Sequence, residues 1–166
     1  MLSLMDRRSL YDEDYFAWLR QQAAALRRLA ESRRDLPNDL DPERVAEEIE
    51  DVGKSELRAA ESFVTNVFSH LLLLAFDPHA SARDRWRIEV AAFHRALRKF
   101  ATPSMRQLID LDSLWADAWG DAQVRLLPYG RPLPRSGPGR CPFGFDELTA
   151  TGTDWDAGVR RILEAA

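Results

Sequence analysis

Residues 41–78 read DPERVAEEIEDVGKSELRAAESFVTNVFSHLLLLAFDP, and their periodicity decides the fold. Asp41, Pro42 and Glu43 form a helix start: a carboxylate to accept from free amides, a proline where its missing N–H costs nothing, and an acid in the first turn. Gly53 is tolerated inside the pattern, and Asp77-Pro78 ends it because proline disfavours helical dihedrals in the residue before it. The reading is one long central helix from Pro42 to about Phe76. Its first half is amphipathic, with Val45, Ile49 and Val52 expected on the core stripe. Beyond Phe63 the apolar residues Val64, Val67, Phe68 and Leu71 to Leu74 point all round, and a helix that is apolar on every side is buried on every side.

Working outward, Tyr15, Trp18, Leu19, Gln22, Leu26 and Leu29 recur at helical spacing after a cap at Asp12 or its neighbours, giving a first helix to about Arg33. Residues 35–40 carry turn chemistry. A third helix fits Ala82 to Phe100, with Trp86, Val90, Phe93, Leu97 and Phe100 on one face. Thr102-Pro103 opens a fourth, expected to run to about Leu127 with Met105, Leu108, Ile109, Trp115, Trp119 and Ala122 on one side. The proline- and glycine-dense stretch Pro128 to Pro142 is an extended arm, since it suits neither helix nor central strand. Short helical turns follow at Phe145 to Ala150 and, capped by Asp154 or Asp156, through Val159 to Glu164. The expected fold is all-α: an antiparallel four-helix bundle (12–127), a Pro/Gly-rich arm (128–142) and a short helical C-terminal segment (143–166), in one domain spanning 1–166.

A chain of 166 residues, 45% hydrophobic and 30% charged, is long and apolar enough to bury a core. The net charge of -4 argues against general affinity for nucleic acid or anionic membranes. Cys141 is the single cysteine, so no internal disulfide forms and a reducing compartment fits. The N-terminal residues lack a secretory pattern, and the apolar run His70 to Phe76 is far shorter than a bilayer span. The expected location is the cytoplasm.

The segments Leu10-Tyr-Asp-Glu-Asp-Tyr-Phe-Ala-Trp18, Val45-Ala-Glu-Glu-Ile-Glu-Asp-Val-Gly53, Ser55-Glu56, His70-Leu-Leu72, Trp86 and Cys141-Pro-Phe143, in this order, resemble the bacterial domain-of-unknown-function family 29 over nearly the whole chain. The resemblance implies an all-helical fold and a bacterial source. It brings no established activity, substrate or site.

Winding the long helix at ~100° per residue places Glu56, Asn66 and His70 on the stripe of Val45, Ile49, Val52, Phe63 and Leu74. Polar groups on a core face need partners. A hairpin turning near Pro37 sets Trp18 opposite Glu56 and Leu26 opposite Glu48, so the Trp18 indole or the Gln22 amide is expected on the Glu56 carboxylate. Folding about His79 sets His70 opposite Ile88. Glu56 and His70 are fourteen residues, or ~21 Å, apart on a straight helix and cannot share one site; Asn66 and His70, one turn apart, can. The catalytic candidates are therefore Glu48, Glu56, Asn66 and His70, each beside the plainer reading of a hydrogen-bonded core group.

Neither His70 nor His94 follows a glutamate by three residues, so the di-iron bundle pattern is absent. A site built from His70, His79 and His94 requires the turn residue His79 to fold back over the bundle. No metal and no cofactor are expected: phosphate-cradling glycine loops, Gly-x-Ser-x-Gly and zinc patterns are all missing. Cys141, beside Arg140, is either a thiol of lowered pKa or, the simpler reading, an apolar anchor tying the arm back with Phe143 and Phe145. Arg131, Arg135 and Arg140 with Tyr129 offer phosphate contacts, against the acidic balance of the chain. Glu43 to Glu61 holds seven acids against three bases, and Arg83 to Lys99 six bases against two acids. These are two solvated faces, or a dipolar surface that docks a partner. The expected function is a non-enzymatic helical module that binds another protein or itself. The alternative is a small, metal-assisted or metal-free enzyme with a pocket between the bundle and the arm, using Glu48, Glu56 or His70 as acid or base.

Overall fold

The computed structural model describes residues 10–33, 35–77, 80–134, 136–137 and 139–165. Those residues form α-helices, 3-10 turns and connections, with no strand among them, as the all-α reading expects. After a helical turn at residues 10–13 come α1 (Tyr15–Ser32), α2 (Pro42–Phe76), α3 (Ala80–Phe100), a 3-10 helix (Pro103–Gln107), α4 (Leu111–Leu126), a second 3-10 turn (Leu127–Tyr129), α5 (Phe145–Thr149) and α6 (Trp155–Ala165). The described residues pack into two compact units, one drawn from 10–58 and 102–108, the other from 59–101 and 109–165.

Capping explains where the helices start. Asp41 Oδ1 accepts from the Arg44 amide at 3.0 Å, so α2 begins at Pro42 as its local chemistry demands. Asp14 caps α1, accepting from Ala17 N at 2.9 Å. The same carboxylate accepts from Ser104 N at 2.8 Å and Ser104 Oγ at 2.7 Å, fastening the first 3-10 helix to α1. Burial raises the Asp14 pKa, but these hydrogen bonds outweigh it and hold the carboxyl below its ordinary value.

The expected fourth helix is two elements. Pro103–Gln107 is a 3-10 helix, and after a break α4 starts afresh at Leu111, where Asp110 Oδ1 accepts from Ser113 N at 3.1 Å. The aspartate side chain offers the backbone a cap that competes with continuing one helix.

In the first unit the core stripe of α2 differs from the expected one. Val45 and Val52 are 39% and 43% exposed, whereas Ala46 and Gly53 are buried. The buried stripe is turned by one residue because the contact with α1 uses small side chains: the Phe16 ring and Leu19 lie just beyond the space a Cβ on Gly53 would fill, and Ala23 on α1 is buried as well. Arg27 spans from α1 to Glu50 and Glu43 of α2.

In the second unit the all-round apolar half of α2 is buried as expected: Val64, Val67, Phe68, Leu71 and Leu72 are fully covered. By composition α2 holds a window of mean hydropathy 1.4, and 56% of that window is buried inside the protein. Phe68 meets the Trp115 ring edge-on at 5.3 Å and stacks on Phe143 at 5.5 Å, and Phe143 also contacts Trp155 and the Arg161 guanidinium. The arm is anchored by Gln123 Oε1 accepting from Leu133 N (3.1 Å) and Asp112 Oδ1 accepting from Cys141 N (2.8 Å).

Two glycines in helices test this packing in opposite directions. A Cβ on Gly53 meets Phe16 at an ordinary 3.5 Å, so Gly53→Ala is expected to stabilise by up to ~1 kcal/mol through helix propensity. A Cβ on Gly158 lies 2.9 Å from Phe143, a ring boxed in by Phe68, Trp115 and Trp155, so Gly158→Ala is expected to cost ~1–3 kcal/mol through overpacking. Thermal melts of the two variants beside the parent protein check both signs.

Candidate functional site

An open cleft of about 640 Å³ lies in the second unit, floored by one face of α2 and walled by α3, the end of α4 and the start of the arm. Asn66, His70, Leu73 and Asp77, spaced three or four residues apart, present one stripe of α2 to it. α3 contributes Arg85, Trp86, Glu89 and Phe93, and beyond the turn Val124, Arg125, Pro128 and Tyr129 complete the wall.

His70 is buried and held on three sides. Its Nδ1 lies 2.7 Å from the Asn66 carbonyl oxygen, which can only accept, so Nδ1 carries a proton. Its Nε2 lies 2.9 Å from Glu89 Oε2, and its ring centroid is 5.3 Å from that of Phe93. The other oxygen of Glu89 accepts from Arg85 Nε at 3.0 Å, and Arg85 is well exposed. The result is a chain of charge-assisted bonds, His70 to Glu89 to Arg85, running from the buried floor to the rim. Asp77, at the end of α2, pairs with Arg131 of the arm. Arg83 donates to the Leu74 carbonyl at 2.6 Å and the Asp77 carbonyl at 3.2 Å, placing a cation on the helix C-terminus.

Of the expected site residues, the cleft gathers Asn66 and His70. Glu48 and Glu56 belong to the first unit and line no part of it. Glu56 takes no hydrogen bond from Trp18 or Gln22 among the described residues; Trp18 instead stacks on Tyr15 and meets Tyr11 edge-on. The polar bridge between α1 and α2 is Arg27 to Glu50, close to the expected register of Leu26 opposite Glu48. Glu89, Arg85, Asp77 and Trp86 are cleft residues that the sequence reading did not name as site residues. The signal for Glu89 was within one residue, since folding about His79 set His70 opposite Ile88.

Among the described residues no three histidine, cysteine or acidic side chains cluster as metal ligands. His79 lies outside the described residues. His94 is buried away from the cleft with its ring edge-on to Trp155 at 4.9 Å, and its Nε2 has no hydrogen-bond partner among the described residues. Burial, followed by the charge of Arg98, lowers its pKa. Cys141 is not an activated thiol: burial, with Asp112 and Glu147 near, pushes its pKa up to about 11 despite Arg161. Arg131 and Arg140 are already engaged with Asp77 and Asp112, and Arg135 lies outside the described residues.

Two measurements follow from these environments. The unfolded chain protonates His94 near the ordinary pH of about 6.5, ahead of the folded one, so the stability held at neutral pH is lost as pH falls through that value. Melting temperatures between about pH 7.5 and 5.5 are expected to drop, and less so in His94→Gln. At about pH 8, alkylation of Cys141 by iodoacetamide is expected to be roughly a hundredfold slower than that of a free cysteine, and to recover on unfolding.

The comparisons with known proteins agree with the helical architecture. A crystal structure of an α-helical protein of unknown function from Rhodospirillum rubrum superposes with a TM-score of 0.85 at 40% identity, covering 91% of this chain and 96% of that one. No curated protein matches the chain. The model of the family described as domain of unknown function DUF29 matches residues 10–152, and the chain belongs to that family.

Proposed function

We propose that the protein is a binding module that works without chemistry, taking a segment of a protein into the α2–α3 cleft. One observation carries this reading. The histidine and the carboxylates of the cleft are held by partners within the protein, while apolar side chains at its rim are left open. Both nitrogens of His70 and both oxygens of Glu89 have partners inside the protein, and Asp77 is held by Arg131. Val124 and Tyr129 by contrast are 72% and 71% exposed, beside the half-buried Trp86 and Phe93. Exposed aromatic and aliphatic anchors around an ordered polar floor suit protein recognition. No Ser, Thr, Cys or Lys is among the lining residues, and the carboxylates and the imidazole that could serve as nucleophiles are held by partners within the protein.

A second reading, a small enzyme, draws on the His70–Glu89 contact, which sets two groups able to act as acid and base 2.9 Å apart. Its polar chain would have to open to receive a substrate.

Capture from a lysate of the source organism tests the first reading. A partner retained by the parent protein is expected to be lost with Val124→Glu and with Tyr129→Ala. It is expected to remain with Leu163→Glu, which alters an exposed apolar residue on α6, outside the cleft. Equal capture by all four proteins, or by none, overturns the proposal. Under the enzyme reading, Glu89→Gln would abolish function while leaving capture intact.

A further inference from the structure

The first unit carries a surface whose pattern complements the cleft. Val45 and Val52 sit exposed on α2, and seven residues at ~100° each bring them within ~20° of one another on the helix. Glu48 falls between them and Glu56 continues the line, giving Val45, Glu48, Val52 and Glu56 at spacings of three, four and four. Glu48 is exposed and makes no ion pair among the described residues, unlike its neighbours Glu43, Glu47, Glu50 and Asp51, which pair with Arg27, Arg44 and Lys54. This is the anchor pattern of a helix that lays one face into a groove.

The cleft offers the counterpart. Arg125 is exposed and makes no ion pair among the described residues, and Arg85 gives only one edge of its guanidinium to Glu89. Val124, Trp86 and Tyr129 lie beside these cations. The dimensions agree as well. The stripe from 45 to 56 and the cleft floor from Asn66 to Asp77 each span eleven residues of helix, ~16 Å.

Resting on the reading of the cleft as a protein-binding site, we infer that its occupant is a second copy of this chain. The Val45–Glu48–Val52–Glu56 face of one molecule docks in the cleft of another, the valines against Val124, Trp86 and Tyr129 and the glutamates toward Arg125 and Arg85. Two different surfaces meet, so the contact is heterologous and each added copy presents a further stripe or cleft unless a ring closes. Opposite charges at an exposed rim make the association sensitive to salt.

Sedimentation of the full chain over a range of concentrations tests the inference. The parent protein is expected to associate reversibly, and more weakly when salt is raised from about 0.05 M to about 0.5 M. Arg125→Glu and Glu48→Arg are each expected to weaken association at least tenfold. An equimolar mixture of the two is expected to recover it, because each supplies the surface the other has lost and the altered pair is again opposite in charge. Both positions are exposed, and the neutral variants Arg125→Gln and Glu48→Gln provide gentler versions should either reversal disturb folding. A parent protein that stays monomeric at every concentration overturns the inference, as does association that neither substitution weakens or that mixing does not restore. Monomeric behaviour together with cleft-dependent capture of a different protein overturns the self-docking alone and leaves the binding reading standing. Loss of both removes both.

Discussion

The Phe68 side chain is the contact on which the second unit depends. It gathers Trp115 from α4 and Phe143 from the end of the arm, and through Phe143 it reaches Trp155 and Arg161 of α6. Aromatic rings in offset and edge-on arrangements contribute beyond the area they bury, and here one ring does so for segments far apart in sequence. Two residues on, the helix turns by ~200°, so the same stretch of α2 that shows Phe68 to the aromatic cluster shows His70 to the cleft. Fixing the one side fixes the other. The position of the His70–Glu89–Arg85 chain is thus a consequence of core packing.

The arm illustrates how a segment without regular structure can still be held. Gly130 adopts a positive φ of 69°, which lets the chain leave α4 through a tight turn that an L side chain resists. The arm then hands its amides to side chains of α4, Gln123 and Asp112, and buries Leu133. Its arginines return the favour electrostatically, Arg131 to Asp77 and Arg140 to Asp112. The wall of the cleft formed by Pro128 and Tyr129 is set by these few bonds.

Much of this architecture was readable because helix boundaries are local chemistry. Asp41-Pro42 and Asp77-Pro78 bounded α2 correctly, since a cap and a proline act on the residues beside them. Asp110 was equally local, yet the apolar periodicity from Met105 to Ala122 masked it and two elements read as one. The stripe of α2 was misplaced by one position because bulk was taken as the mark of the core. The buried positions there are Ala46 and Gly53, where closeness of approach matters more than side-chain size. At the site, Asn66 and His70 were legible from their spacing on one helix, whereas Glu89 depended on the exact register of two helices, which no local rule supplies. The acidic run of α2 and the basic run of α3 likewise dissolve, residue by residue, into ion pairs and a few unpaired charges that only coordinates distinguish.

Asp14 binds Ser104 across ninety residues of chain, and residues 102–108 pack with the N-terminal helices although α3 and half of α2 come before them. During synthesis the first unit therefore waits, incomplete, until residues 102–108 have left the ribosome. By then the apolar half of α2 has also emerged without α4 and α6 to cover it. The first unit has all its segments once residue 108 has emerged, the second only when α6 has followed, and a nascent chain stalled before Ser104 lacks the bonds from that residue to Asp14.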